Sequence, residues 1–237
     1  MRLGLIPLLT SLFYLAIASG AGLRAPTTGD AVAAALAVGS VTASVAVATL
    51  MAEDRFEGTT AFLFIAHTNR IASWVGRFVV VSGLGVFVAC IGLVPSLLVV
   101  GVPQTGSTWI AILLTVSAVA PTAVGIGFLL GAVSLFLRDS LVLANLSEYL
   151  IPLLAGVVAP IEILWDPVAA VARAIPLTSL IASARIGVTA EGLAGGFWLN
   201  YSGALLMGLL WAGAAAVTWH ASEKSARRGG TVDTLLF

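Results

Sequence analysis

The chain has 237 residues, 59% of them hydrophobic and only 9% charged, with a formal net charge of zero. Soluble domains carry about 25% charged residues, so this composition cannot make a water-facing surface, and a mean hydropathy of +1.09 agrees. The charge balance gives no basis for a nucleic-acid partner, and the lone cysteine, Cys90, excludes an intrachain disulfide or a thiolate metal cluster.

Long uncharged runs predict an all-α, polytopic membrane protein. Residues 1–237 read as one transmembrane domain with six transmembrane helices, at about 3–23, 31–52, 78–100, 108–133, 141–159 and 197–220. The first run holds 21 uncharged residues between Arg2 and Arg24. Its Ala16-Ile17-Ala18 ending has the form of a signal-peptide cleavage site. The run exceeds the roughly 7–15 apolar residues of a signal sequence, so it reads as an uncleaved first span. Ala25–Asp30 reads as a turn, and 22 uncharged residues from Ala31 to Ala52 supply the second span.

Ala52–Arg77 is the longest polar-bearing interval in the first half of the chain. Glu53, Asp54, Arg55 and Glu57 open it, Gly58, Thr59 and Thr60 follow, and then comes the apolar run Ala61–Ala66. After His67, Thr68, Asn69 and Arg70 a second apolar stretch leads to Arg77. Thr59 or Thr60 is a fitting N-cap for one short helix and Asn69 for another. The segment therefore reads as two interfacial helices, too polar to cross a bilayer and too apolar to leave it.

The 60 uncharged residues from 78 to 137 divide into two spans near Gly101–Gly106, with Pro121 as a kink in the second. Arg138-Asp139 returns the chain to the surface, and the fifth span then contains Glu148. Pro160, Pro167 and Pro176 punctuate the next region. Asp166 before Pro167 is an N-cap followed by proline at the first helical position. Two short helices, at about 167–174 and 177–187, form a re-entrant or surface-lying hairpin between spans five and six. Gly192–Ser222 carries the last span, and Glu223–Arg228 forms a basic tail.

Six spans put both termini on one side. That side holds eight Arg and Lys residues, against three (Arg24, Arg173 and Arg185) on the other. The excess makes both termini, the Ala52–Arg77 segment and the Arg138 loop cytoplasmic in a multi-pass protein of the cell membrane.

Several of these motifs, in this order, resemble the ABC-2-type transporter permease family. The resemblance covers roughly residues 31 to 220. Glu53–Thr60 is similar to the stretch ending in Gly-Thr that follows that family's second span. His67–Arg70 and Gly76-Arg77 match its polar break and its approach to the third. Phe136-Leu137-Arg138-Asp139 resembles its Arg-Asp motif. Gly156-x-x-x-Pro160, Ile175-Pro176-Leu177-Thr178 and Ala184-Arg185 match the region between its last two spans. The chain departs from the family in beginning its first apolar run directly after Arg2, where the family has a longer amphipathic segment.

The resemblance implies a dimeric exporter subunit, nearer the drug and antibiotic branch than polysaccharide permeases. Its partners would be a separate ABC ATPase, a second copy or a sister permease, and membrane lipids. Glu53, Asp54, Arg55, Glu57, Gly58, Thr59, Thr60, Asn69 and Arg70 would dock on the ATPase. The hairpin marked by Pro160, Asp166, Pro167, Pro176, Thr178 and Arg185 would shape the extracytoplasmic mouth.

The residues themselves set limits. A P-loop needs Gly-Lys-Ser/Thr, and the sole lysine, Lys224, follows Glu223. The chain is therefore expected to be no enzyme and to bind no cofactor, with ATP and Mg held by the partner. Without the family, the Ala52–Arg77 interval reads either as a docking surface or as a solvated loop with interfacial aromatics. Arg138 and Asp139 read as a gate contact or a positive-inside marker. Glu148 faces a pathway or reaches back to the headgroups, since a charge at mid-bilayer costs about 2.5–3.5 kcal/mol. Neither histidine has metal-ligand spacing, so no metal site is expected. Gly127 and Gly131 allow close helix contact, read first as packing within one chain.

Other classes remain open. An ion- or proton-coupled secondary transporter needs ionisable groups near the midplane, and Glu148 is the single candidate. An intramembrane lipid enzyme needs clustered His, Asp or Glu at the membrane face, and the sequence offers none.

Overall fold

The computed structural model describes residues 2–20, 25–57, 70–134, 136–137, 140–157, 161, 164–189 and 192–229. Within these, only the backbone is described at 2–4, 18, 55–56, 70–75, 140–141, 222–223 and 225–229. The described residues form helices α1 (Arg2–Ala18), α2 (Thr28–Phe56), α3 (Arg70–Val100), α4 (Gly106–Ser117), α5 (Val119–Ser134), α6 (Ser140–Leu154), α7 (Asp166–Arg173), α8 (Pro176–Gly187) and α9 (Phe197–Gly229).

Among the described residues, four helical segments are long and apolar enough to cross a membrane: Thr28–Asp54, Gly76–Val100, Gly106–Ser134 and Phe197–Ala221. Counting the bent pair α7–α8 as one span would make five, and α1 and α6 are shorter apolar helices. The architecture is that of a helical membrane protein.

α2 is its centre. Within its most apolar stretch 83% of residues are buried, against 17% for α9. One core cluster joins Val32 and Leu36 of α2 to Ile112 of α4, Ile126 of α5, Ile151 of α6, and Leu177 and Leu180 of α8. A second, toward the C-terminal end of α2, joins Val47 and Met51 to Phe78 and Val81 of α3 and Ala132 of α5. Small residues allow this close packing. A Cβ on Gly39 of α2 would meet the Gly85 carbonyl oxygen of α3 at 2.5 Å. One on Gly127 of α5 would meet the Ser44 carbonyl oxygen at 2.5 Å, and one on Gly131 would strike Met51 Sδ. Gly127 and Gly131 of the fourth predicted span thus pack within the chain against α2, and Gly125 packs against Gly208 of α9. The Ser44 hydroxyl adds a hydrogen bond to the Ala123 carbonyl at 3.1 Å.

Helix ends differ from the hydropathy boundaries for identifiable reasons. α2 starts three residues before Ala31, inside the predicted turn, because Thr27 and Asp30 form a capping box. It runs on to Phe56, since charge ends an apolar run but does not end a helix. Arg70–Val100 is one continuous helix, so the stretch up to Arg77 extends the third span and is not a separate short helix. Between α4 and α5 the break falls at Ala118 rather than at Pro121 itself. Proline has no N–H for the carbonyl four residues back, which places the fault one turn earlier. α6 stops at Leu154, five residues short of the predicted boundary. Gly156 adopts φ 79° there, and the Val157 N–H reaches the Pro152 carbonyl at 3.3 Å, the Schellman ending.

The two short helices fall close to their predicted bounds, at Asp166–Arg173 and Pro176–Gly187, and are bent by 84°. Trp165, not Asp166, is the N-cap of α7, and it makes no side-chain cap bond. The bend is closed by the buried Thr178 hydroxyl, which donates to the Ala172 carbonyl at 2.6 Å. α8 sinks into the core through Leu177, Leu180, Ile181 and Ala184, while Trp165, Asp166 and Pro167 stay exposed.

Candidate functional site: the two ends of α2 and the cavity between

α2 carries a buried aspartate near each end. At the N-terminal end, Asp30 accepts from the Thr27 hydroxyl at 2.8 Å and from its N–H at 3.1 Å. The same carboxylate pairs with Arg185 of α8 at 3.5 Å. Gly29 makes room for this approach, because a Cβ there would lie 3.3 Å from Arg185 Cγ. A cavity of about 470 Å³ opens beside the pair, lined by Thr27, Asp30, Arg185 and Thr189.

Of this cluster only Arg185 was expected as a site residue. Asp30 and Thr27 were read as turn, although Thr-x-x-Asp before an apolar run carries the capping signal. The outcome ties the hairpin to the start of α2.

At the C-terminal end, Asp54 is buried and accepts from Arg77 of α3 at 2.5 Å. Glu53 and Glu57 are exposed beside it, joined by the backbone bond from the Glu57 N–H to the Glu53 carbonyl. A cavity of about 610 Å³ lies here, lined by Glu53, Asp54, Glu57, Gly76 and Arg77. Glu53, Asp54 and Arg55 thus belong to the last turn of α2. Arg55 and Arg70 are described through their backbones alone, while Gly58, Thr59, Thr60 and Asn69 lie outside the described residues.

Asp30 and Asp54 are 24 residues apart on one helix, which is about 36 Å along its axis. The hairpin therefore meets α2 at the end opposite the acidic turn. Exposed tryptophans Trp109, Trp165 and Trp198 lie at the starts of α4, α7 and α9. A Cβ on Gly187, at the end of α8, would touch Ala111 and Phe197, which brings the starts of α4 and α9 to the Asp30 end. Trp109 and Trp198, exposed at that end, suit a membrane boundary.

Glu148 of α6 is exposed and shares a cavity of about 500 Å³ with Glu53. Thr42 and Thr49 of α2 line it too, small polar residues that apolar-run reasoning passed over. Arg138, Asp139 and Pro160 lie outside the described residues. Pro176 is buried at the first position of α8. Among the described residues no three His, Cys, Asp or Glu side chains come together in a way that could hold a metal ion.

Compared with family models, with curated proteins and with solved structures, the chain matches none of them.

Proposed function

We propose that the chain is the membrane subunit of an ATP-driven exporter of the ABC-2 type, paired with a second permease and driven by a separate ATPase. One observation carries the reading: the most buried helix ends in a charged, partly exposed turn braced by Asp54–Arg77. A load on Glu53 and Glu57 would enter a helix that packs on α3, α5, α6 and α8 together. Its far end is tied through Asp30 to the hairpin. Charged groups orient such a docking surface and set its partner.

In this reading α1 and α6 also cross, making six spans, while α7–α8 dips into the outer side without crossing. α1 and α6 have 17 and 15 residues, or about 25 and 22 Å. Thinning of the bilayer or snorkelling of flanking residues would accommodate them. Both termini and the Asp54 end are cytoplasmic, in keeping with the Arg and Lys excess. ATP and Mg bind to the partner.

The test is transport by inverted vesicles containing the chain and its ATPase. Replacing Glu53 and Glu57 with lysine should abolish ATP-driven export while the protein still inserts. Unchanged export would remove the coupling role.

A second reading, an ion- or proton-coupled carrier, is favoured by one observation: Glu53 and Glu148 face a common cavity. Activity that follows the proton gradient with ATP absent would select it.

A further inference from the structure

The cavity shared by Glu53 and Glu148 is shaped more like a binding site than a packing defect. Its α2 wall repeats at helical spacing through Val41, Val45, Thr49 and Glu53. It therefore follows the helix for about 18 Å, from the charged end toward the middle. Val81 of α3 closes one side and Glu148 of α6 contributes the second carboxylate. Its volume of about 500 Å³ falls in the range of roughly 300–1,000 Å³ usual for small-molecule sites. Glu148 is the only charged residue between Asp139 and Glu162, and an ionisable group in such a run belongs against protein or a polar path.

We propose that this cavity takes amphiphilic organic cations from the inner leaflet. Val41, Val45 and Val81 would hold the apolar body, and Glu53 and Glu148 the positive centre. Two carboxylates on one cavity attract a delocalised cation and repel an anion of the same size. A lipid chain would use the apolar wall but gain nothing from the acids. The assignment names a substrate class for the exporter and rests on that reading. Glu53 borders this cavity and the acidic one at the helix end, so occupancy and docking would meet at one residue.

The full chain in phosphatidylcholine nanodiscs, dialysed against radiolabelled tetraphenylphosphonium, tests this, with tetraphenylborate as the size-matched anion. Saturable binding of the cation alone is expected. Glu148→Gln, nearly isosteric and outside the docking surface, should weaken it about tenfold, and Glu53→Gln should weaken it too. Val45→Trp should block it by filling the cavity, with elution profile and circular dichroism checking the fold. Equal binding of cation and anion, or cation affinity unchanged in Glu148→Gln, overturns the proposal. If the cation fails to bind while an ATPase co-purifies, only the substrate class falls. If it binds to a chain that has no ATPase partner, the site stands and the exporter reading falls.

Discussion

The two ends of α2 solve the same problem differently. Each buries an aspartate and gives it an arginine. Asp30 is 2% exposed and its partner Arg185 34%; Asp54 is 11% exposed and Arg77 42%. The first pair joins α2 to a helix 155 residues further on, the second to the neighbouring helix 23 residues away. Asp30 is further held by the Thr27 cap, whereas Asp54 stands among exposed carboxylates at a cavity mouth. Depth and long-range connection suit a fixed anchor. Exposure and local connection suit an end that meets other molecules. One helix thus carries a deeply buried pair at one end and a more exposed pair at the other, and its packed middle makes them one body.

That contrast can be broken. Asp30→Ala should have the largest effect on stability, because it takes away the carboxylate that pairs with Arg185 and the bonds that the same carboxylate accepts from Thr27. Loss of a buried partner costs about 3–5 kcal/mol, and the part-exposure of Arg185 reduces this to roughly 2–3 kcal/mol. Thermal unfolding in detergent would measure it, and an unaltered midpoint would refute the anchor. Gly39→Val attacks the packed middle, driving a side chain into the Gly85 carbonyl of α3. Overpacking costs about 1–3 kcal/mol, read as a lower melting point.

Thr27→Ala sharpens the comparison by removing the cap while leaving the ion pair. A loss of about 1 kcal/mol is expected in the same assay. Asp54→Asn should do least to stability, about 0.5 kcal/mol or less, because Arg77 remains hydrated. It should nevertheless lower ATP-driven export. A stability loss equal to that of Asp30→Ala would erase the distinction between the two ends.

Much of the fold was legible because the membrane makes apolar runs conspicuous. The hairpin helices were readable from Asp166-Pro167 and Ile175-Pro176, since proline marks a first helical turn whatever surrounds it. Boundaries were harder. Hydropathy placed the end of the second span at Ala52, but Glu53–Phe56 continue the helix. It also extended the fifth span to Ala159, past the glycine ending at Gly156.

The candidate site divides along the same line. Glu53, Glu57 and Glu148 stood out as charges beside or within apolar runs. Asp30 was hidden by its turn-like neighbours, and its partner in α8 could not be inferred from local spacing. Thr42 and Thr49 were hidden for the opposite reason, since small polar residues sit cheaply inside a helix by bonding to its own carbonyls. Thr49 does so, to Val45 at 2.8 Å. Long-range pairing and cavity walls are properties of packing, and hydropathy does not encode them.

The most direct test of α2 as the coupled element is a cross-link from its exposed end. Glu57→Cys, in a chain with Cys90 replaced by serine, would be treated with a short thiol-to-amine reagent in native membranes. The account predicts a single adduct with a subunit carrying a P-loop, formed from the cytoplasmic side and altered when ATP is added. Labelling of position 57 only from outside the cell, or ATP-independent transport by the purified chain alone, would contradict it.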